Sequence, residues 1–344
     1  MAEIRFAAIG INHAHIYGQV DCLLAAGGKL VGFHAPEDDL AKAFSERYPQ
    51  ALRVNDRRRL LEDRGIALIV SAGIPCERAP LGIEAMRHGK DYMTDKPGMT
   101  SLEQLAEARR VQAETKRIYS VCYSEHFETR STVKAGELVA AGTIGKVVNT
   151  NGLGPHKLKN LPRPPWFYER RKTGGILTDI ASHQCEQFLF FADALEGEVV
   201  AATVANRANP DKPELQDFGE MLMRSGEVTG YARVDWYTPD GLPVWGDGRL
   251  FILGTEGTLE LRKYIDIGGR PGGDHLFLID RKGVHLVHCA DVELPYGRQL
   301  LADIRDRTET AMPQARCFMA MELALKGQAM GEADIRAWSR RGDV

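Results

Sequence analysis

The sequence predicts an α/β chain of two domains, and three observations carry that prediction. Short apolar runs alternate with helical patterns through the first third, as β-α-β units do. Beyond about residue 198, β-like runs instead follow one another without intervening helices, which suits an α+β domain with an antiparallel or mixed sheet. At 344 residues the chain is long for one core and comfortable for two. The division is placed between residues 125 and 126, with 1–125 forming the β-α-β domain and 126–344 the second.

The elements of the first domain follow in order. "IRFAAIG" is apolar enough for a strand buried on both faces, and a helical stretch runs from it to Ala26, where Gly27-Gly28 stops it. "KLVGFHA" reads as a second strand and "EDDLAKAFSERY" as a helix with acids in its first turn. "IALIVSAG" is a third strand, and "ERAPLGIEAMRHG" a helix closed by Gly89 despite Pro80. "DYM" is a short strand leading to Lys96. "SLEQLAEARRVQAETK" has Ser101 as a cap and basic residues at its end, and "IYSVCYS" returns as a strand.

From about Phe127 a helix runs to Ala141, and "GTIGKVVNTNGLG" makes a turn and a strand. Residues 155–173 read as a long loop rich in Pro, Lys, Arg and aromatics. "GGILTDIASHQCEQFLFFADA" is a strongly apolar helix. Strands are expected in "VVAATVANRA", "DFGEMLMRS", "VTGYARVDWYT", "GRLFILGT", "GTLELRKYI" and "HLFLID", and helices in "YGRQLLADIRDR" and "PQARCFMAMELALKGQAM". The helix over 313–331 is expected to pack back on the first domain.

Composition excludes several classes. Lys+Arg number 44 against 47 Asp+Glu, so no basic excess points to nucleic acid. No apolar run approaches the length of a membrane span, and the start of the chain has no signal-peptide pattern. The six cysteines are scattered without a CxxC pair, which fits free thiols in a reducing cytoplasm better than disulfides or zinc.

Four stretches carry chemistry. In "MTDKPGMT", Lys96 follows a strand's carboxyl end, the edge where parallel sheets bind ligands. "GINHAH" after the first strand keeps only Gly10 of a G-x-G-x-x-G turn: Asn12 and His15 replace the other two glycines, and Asn tolerates left-handed backbone. His13 and His15 form an H-x-H pair, but no carboxylate or cysteine lies nearby in sequence, so no metal is expected and a polar ligand at a helix N-terminus is preferred. In "GFHAPEDD", Ala35 stands where an acid commonly meets the adenosine ribose. Glu37, Asp38 and Asp39 follow with no Arg or Lys for a 2′-phosphate, so NAD is favoured over NADP. The same acids serve equally as helix N-terminal charges.

"GGILTDIASHQCEQ" is the fourth. Asp179 and His183 are four apart on one helix face, with Glu186 nearly in line. Taking a hydroxyl proton while hydride leaves the same carbon needs a base near neutrality, which suits histidine. A structural Asp–His pair on a half-buried helix fits the spacing as well. The loop "GPHKLKNLPRPPWFYERRKTGG" is either a substrate lid, with His156 and Trp166 the preferred contacts among Lys157, Tyr168 and Arg170, or an ordinary surface loop.

Together these motifs resemble the glucose–fructose oxidoreductase / inositol dehydrogenase / MocA family, over most of the chain and most clearly through about residue 192. "DKP" at Asp95-Lys96-Pro97 is similar to the family's E-K-P, and Gly174-Gly175 with Asp179 and His183 to its Gly-Gly then D-x-x-x-H. "AAGTIGKVV" resembles the family's linker, and "VCYSEHF", with Tyr123, its preceding strand and turn. The resemblance implies a Rossmann NAD(P)-binding domain followed by an α+β domain with a large, open, mostly antiparallel sheet, and a homodimer or homotetramer through that sheet. It implies hydride transfer at a secondary alcohol of a sugar, polyol or related carbohydrate. Lys96 would bond the reacting hydroxyl and nicotinamide ribose, His183 would be the base, and Asp179 would contact substrate. Gly10, Asn12, His13, His15, Ala35, Ala72, Gly73, Asp95, Lys96 and Pro97 would line the cofactor; Lys96, Tyr123, His156, Trp166, Asp179 and His183 would line the substrate.

The departures are the two missing glycines, Ala35, Asp95 in place of Glu, and Arg78 where many relatives carry histidine. Two other functions use the same residues: an NAD-dependent glycoside hydrolase or eliminase working by transient C3 oxidation, and a catalytically silent dinucleotide or sugar sensor. The retained Lys96, Asp179 and His183 count against the sensor.

Overall fold

The computed structural model describes residues 3–158 and 163–341. It divides into two compact units, Met1–Cys122 with Pro295–Phe318, and Tyr123–Leu294 with Met319–Val344. The division after residue 125 thus falls at 122, and the first unit also takes a segment from near the C-terminus. The expected helix 313–331 is shared out by the same division, its first residues going to the first unit and those from Met319 to the second.

The first unit begins β1 (Arg5–Ile9), α1 (His15–Ala25), β2 (Lys29–His34), α2 (Asp38–Arg47), β3 (Leu52–Arg53) and α3 (Arg58–Leu61). It continues β4 (Leu68–Ser71), α4 (Pro75–Arg87), β5 (Asp91–Asp95), α5 (Leu102–Thr115) and β6 (Tyr119–Cys122). Strands β4, β5 and β6 are buried at every residue, as strands covered on both faces must be. All six pair in parallel in the order β3-β2-β1-β4-β5-β6. The order reverses between β1 and β4, and the carboxyl ends of those two strands mark the ligand crevice of such a sheet. Ser101 caps α5 by accepting the Gln104 N–H at 3.2 Å. Strand β3 and helix α3 were not expected: two and four residues are too short to show a period.

The second unit runs α6 (Ser124–Phe127), α7 (Arg130–Ala140), β7 (Val147–Pro155), a 3₁₀ turn at Pro165–Tyr168 and α8 (Arg170–Thr173). A π-helical stretch, Leu177–Ala181, leads into α9 (Ser182–Phe191). Then come β8 (Glu198–Ala205), β9 (Phe218–Ser225), β10 (Val228–Asp235), β11 (Arg249–Gly254), β12 (Thr258–Arg262), β13 (His275–Asp280) and β14 (Gly283–Val287). They form one sheet, β14-β13-β12-β11-β7-β10-β9-β8, antiparallel except where β7 meets β10. One face is covered by helices. Helix α9 lies close to β7 and β10 because Gly152 and Gly230 present no side chain: a Cβ would stand 2.6 Å from Gln184 Cγ at the first and 2.5 Å from the Phe188 ring at the second. The core beneath joins Ala135, Ile144 and Phe191 to Leu250, Ile252, Leu259, Leu261 and Leu276.

The other face stays open. Leu253, Ile279, Val284 and Leu286 are 45%, 47%, 72% and 56% exposed on it. At one edge β13 turns into β14, and the Asp280 carboxylate accepts the N–H groups of Lys282 and Gly283 at 2.8 and 3.2 Å and bonds His285 Nε2 at 2.9 Å. The chain closes with α10 (Tyr296–Asp306) and α11 (Gln314–Arg341). Just past α10, Arg307 pairs both oxygens of Asp91 at 2.8 Å, tying this segment to the foot of β5 within the first unit. No disulfide joins the cysteines, and no helix among the described residues is long and apolar enough to cross a membrane.

Candidate functional site

In the first unit the turn after β1 meets the turn after β4. Gly10 has φ of 72°, a left-handed conformation that favours glycine, and a Cβ there would lie 3.2 Å from Gly73 Cα. Its carbonyl accepts the Ala72 N–H at 3.0 Å, and the His13 N–H donates to Ala72 O at 2.9 Å. Gly10, Ala72 and Gly73 therefore form one double turn at the point where the strand order reverses, with the N-terminus of α1 following at His15.

The acid of this turn is Glu37 rather than a residue at position 35. Asn12 Nδ2 donates to Glu37 Oε1 at 2.8 Å, while Glu37 Oε2 is buried without a hydrogen-bond partner among the described residues. Ala35 contributes only its carbonyl, which accepts from Arg53 Nη2 at 3.1 Å. Arg53 also pairs with Asp38 at 2.8 Å. A cation therefore does stand by the end of β2, supplied by β3, which the local sequence did not reveal.

At the end of β5, Asp95 is buried between cations and imidazoles. Its Oδ1 lies 2.9 Å from His15 Nδ1, and its Oδ2 is 3.6 Å from His13 Nδ1 and 3.1 Å from Arg78 Nη2. Burial alone would raise this carboxyl, but the charges of His15 and Arg78 outweigh it and hold it well below the usual range. His13 is held below the histidine range, by burial first and then by its neighbour His15. The expectation that no carboxylate accompanies the two histidines is corrected here: Asp95, distant in sequence, brings a third donor within 4.8 Å. The Arg78 guanidinium already supplies that carboxylate with a counter-charge, which opposes a metal ion there.

Lys96 follows, only 6% exposed, with a cis peptide bond to Pro97. Arg78 donates from Nε to Gly73 O at 2.8 Å and from Nη1 to the carbonyls of Lys96 and Pro97. Arg78 thus binds both the turn after β4 and the segment after β5.

In the second unit Asp179 and His183 stand on one continuous helix, but not a uniform one. Asp179 lies in the π-helical stretch and His183 in the first turn of α9. Such stretches recur at functional sites. His183 is buried, its ring edge-on to Tyr123 at 6.1 Å. Asp179 lines a small cavity with Phe167, Glu214, Gln216 and Trp236. Arg163 bears on Asp179 electrostatically; burial lowers its pKa, and the Asp179 charge opposes that shift. Its guanidinium sits 4.7 and 5.3 Å from the Phe167 and Trp236 rings.

Glu186 serves elsewhere, bonding His126 Nδ1 at 3.0 Å in the interior. Beside it a buried network joins Lys263 Nζ to Glu125 at 2.6 Å and to Gln187 at 2.8 Å, with Gln184 donating to Glu125 at 3.1 Å. These bonds fix α6 and α9, and so the helix that carries His183. His156 packs against Trp236 and Trp245, at 5.3 and 4.5 Å between ring centres. Trp166 is half-buried on the 3₁₀ turn, and Phe167, not Trp166, lines the Asp179 cavity. Residues 159–162 of the expected lid lie outside the described residues. Arg163, Phe167, Gln216 and Trp236 were missed as site residues. They come from three separate segments, and no spacing links them.

Residues 132–260 match the model of the GFO/IDH/MocA C-terminal domain. A protein described as a candidate oxidoreductase from Erwinia carotovora atroseptica SCRI1043 is 43% identical and superposes with a TM-score of 0.93, covering 95% of this chain and 98% of that one. Levoglucosan dehydrogenase, solved with NADH and levoglucosan, is 16% identical with a TM-score of 0.78, covering 97% of this chain and 98% of that one. At such identity the likeness concerns the fold. D-xylose dehydrogenase from Paenarthrobacter nicotinovorans is 22% identical over 210 residues, 60% of this chain and about half, 53%, of that relative.

Proposed function

The chain belongs to the Gfo/Idh/MocA oxidoreductase family, and from that premise we propose that it is an NAD(P)-dependent dehydrogenase acting on a secondary alcohol of a sugar, polyol or related carbohydrate. The observation that carries the reading is the β1–β4 switch point, where a left-handed Gly10 packs on Gly73 and a buried Glu37 oxygen lacks a partner among the described residues. A dinucleotide fits it: the turn at Gly10–His15 that leads into α1 suits a pyrophosphate, and Glu37 suits ribose hydroxyls.

When bound, the nicotinamide supplies the hydride acceptor or donor. The chain's own residues do the rest. Asn12, His13 and His15 line the pyrophosphate turn, and Ala72, Gly73 and Pro97 complete the cradle. Lys96 donates to the reacting hydroxyl, His183 takes its proton, and Asp179, with Arg163 beside it, orients the sugar hydroxyls. NAD remains the proposed cofactor, since Glu37 and Asp38 repel a 2′-phosphate, although Arg53 weakens that discrimination.

The open face of the eight-stranded sheet supports a dimer or tetramer, because large apolar residues, Leu253, Ile279, Val284 and Leu286 among them, stand exposed on it. A cytoplasmic site is proposed from the absence of disulfides.

Separate calorimetric titrations with NAD and NADP test the reading, followed by a panel of aldoses, anhydrosugars and polyols scored for net NADH release. Binding with release supports the dehydrogenase. Binding with glycoside cleavage and no net NADH would move it to the transient-oxidation hydrolase, and binding of neither nucleotide would overturn it.

A further inference from the structure

Arg78 is an arginine with almost no exposed surface, on a helix that otherwise buries apolar residues. Burying a guanidinium is costly unless its donors are met. Here they are met by one set of groups only. Nε bonds Gly73 O at 2.8 Å, Nη1 bonds the carbonyls of Lys96 and Pro97, and Nη2 pairs with Asp95 at 3.1 Å. Asp95 in turn holds His15 at 2.9 Å. The Arg78 carbonyl accepts the Tyr92 hydroxyl at 2.8 Å, and Gly82 lets the Tyr92 ring lie against α4, so the arginine stands on a fixed base.

The planar fork therefore reaches three of the loops at the carboxyl edge of the sheet: the turn after β4 and the segment after β5 directly, and the turn after β1 through Asp95 and His15. We infer that Arg78 is a positioning residue, which sets the Lys96 backbone against the cofactor turns. The inference rests on the reading that Lys96 serves the nicotinamide end of the site. A lysine at 78 keeps the charge but not the fork, and cannot reach four acceptors at once.

The test is a double-mutant cycle with NADH as the probe, using full-length protein and no alcohol substrate. Dissociation constants are measured for the wild type, Arg78→Lys, Lys96→Ala and the double variant, with thermal unfolding recorded for each. Arg78→Lys should weaken NADH about tenfold or more in the wild-type background and less than about threefold when Lys96 is already alanine. Additive losses, or no loss from Arg78→Lys, would overturn the inference while leaving the Lys96 reading standing. No loss of affinity from Lys96→Ala would remove the reading itself, and the inference with it. If Arg78→Lys does not fold, Asp95→Asn enters the same cycle, since it releases the guanidinium from its side-chain partner. Coupling to Lys96 then supports the role, and additivity refutes it.

Discussion

Gly152 of β7 lies under Gln184 of α9 so closely that a Cβ on the glycine would stand 2.6 Å from the Gln184 Cγ. The residue before Gln184 is His183, so this contact sets the height of the proposed base above the sheet. Gly152→Ala should cost about 1–3 kcal/mol through overpacking and lower turnover as α9 lifts. Urea unfolding and steady-state kinetics check both, and a fully stable, fully active variant would show the helix placed by other contacts.

His183→Ala should lower turnover by roughly 10²–10⁴-fold while leaving NADH affinity nearly unchanged, because only the proton acceptor is lost. Kinetics on any alcohol that yields NADH, beside a fluorescence titration of NADH, separate the two quantities. Undiminished turnover refutes the role.

Glu37→Gln keeps the shape of the side chain and removes its charge. NADH binding should weaken about tenfold, the cost of one charge-assisted hydrogen bond, and the preference for NADH over NADPH should narrow because Arg53 remains beside the site. Paired titrations with NADH and NADPH read both effects. An unaltered ratio would move the ribose contact elsewhere.

Lys263→Met should destabilise the protein by about 3–5 kcal/mol, since it strands the buried Glu125 carboxylate. Adding Glu125→Gln should recover part of that loss. Denaturant midpoints measure it, and a loss below about 1 kcal/mol would mean that the pair is better hydrated than its burial implies.

His13 gives stability a slope with pH. Its pKa is lowered in the folded chain, so as pH falls through about 6.5 the unfolded chain takes up a proton that the folded chain refuses. Proton uptake then favours unfolding, and stability declines from about pH 7 to about pH 5 by at most roughly 1.4 kcal/mol per pH unit. Asp95, with a lowered carboxyl pKa, acts in a separate window: its contribution is present above about pH 4 and is lost as pH falls further. His13→Gln should flatten the upper slope and leave the lower one. Equal slopes in both proteins would show that His13 titrates normally.

The local grammar of the first domain was legible because each strand there is a short apolar run closed by a turn, and Lys96 could be placed at a sheet's edge from the strand before it. The partners of that lysine were not legible. Arg78 reads as an ordinary helical residue until the fold brings the turns after β4 and β5 to it, and Asp95 reads as part of a motif until His15 meets it. The long helix of the second domain was visible, but its π-helical stretch was not, because the helix is buried on nearly all sides and shows no single apolar face whose rotation could be read. The buried Lys263–Glu125 pair joins residues 138 apart, and no spacing rule reaches across that distance.

Strand β13 is apolar on both faces: Leu276 and Leu278 point into the core, Phe277 and Ile279 away from it. A slip of one residue would trade one greasy row for another, so hydrophobicity barely tells the two alignments apart. The Asp280 carboxylate does, by gripping the backbone of Lys282 and Gly283 and the ring of His285. One surface aspartate thus acts as the index mark for a whole edge of the sheet, and its loss would be felt less as lost stability than as a choice between two nearly equal zippers.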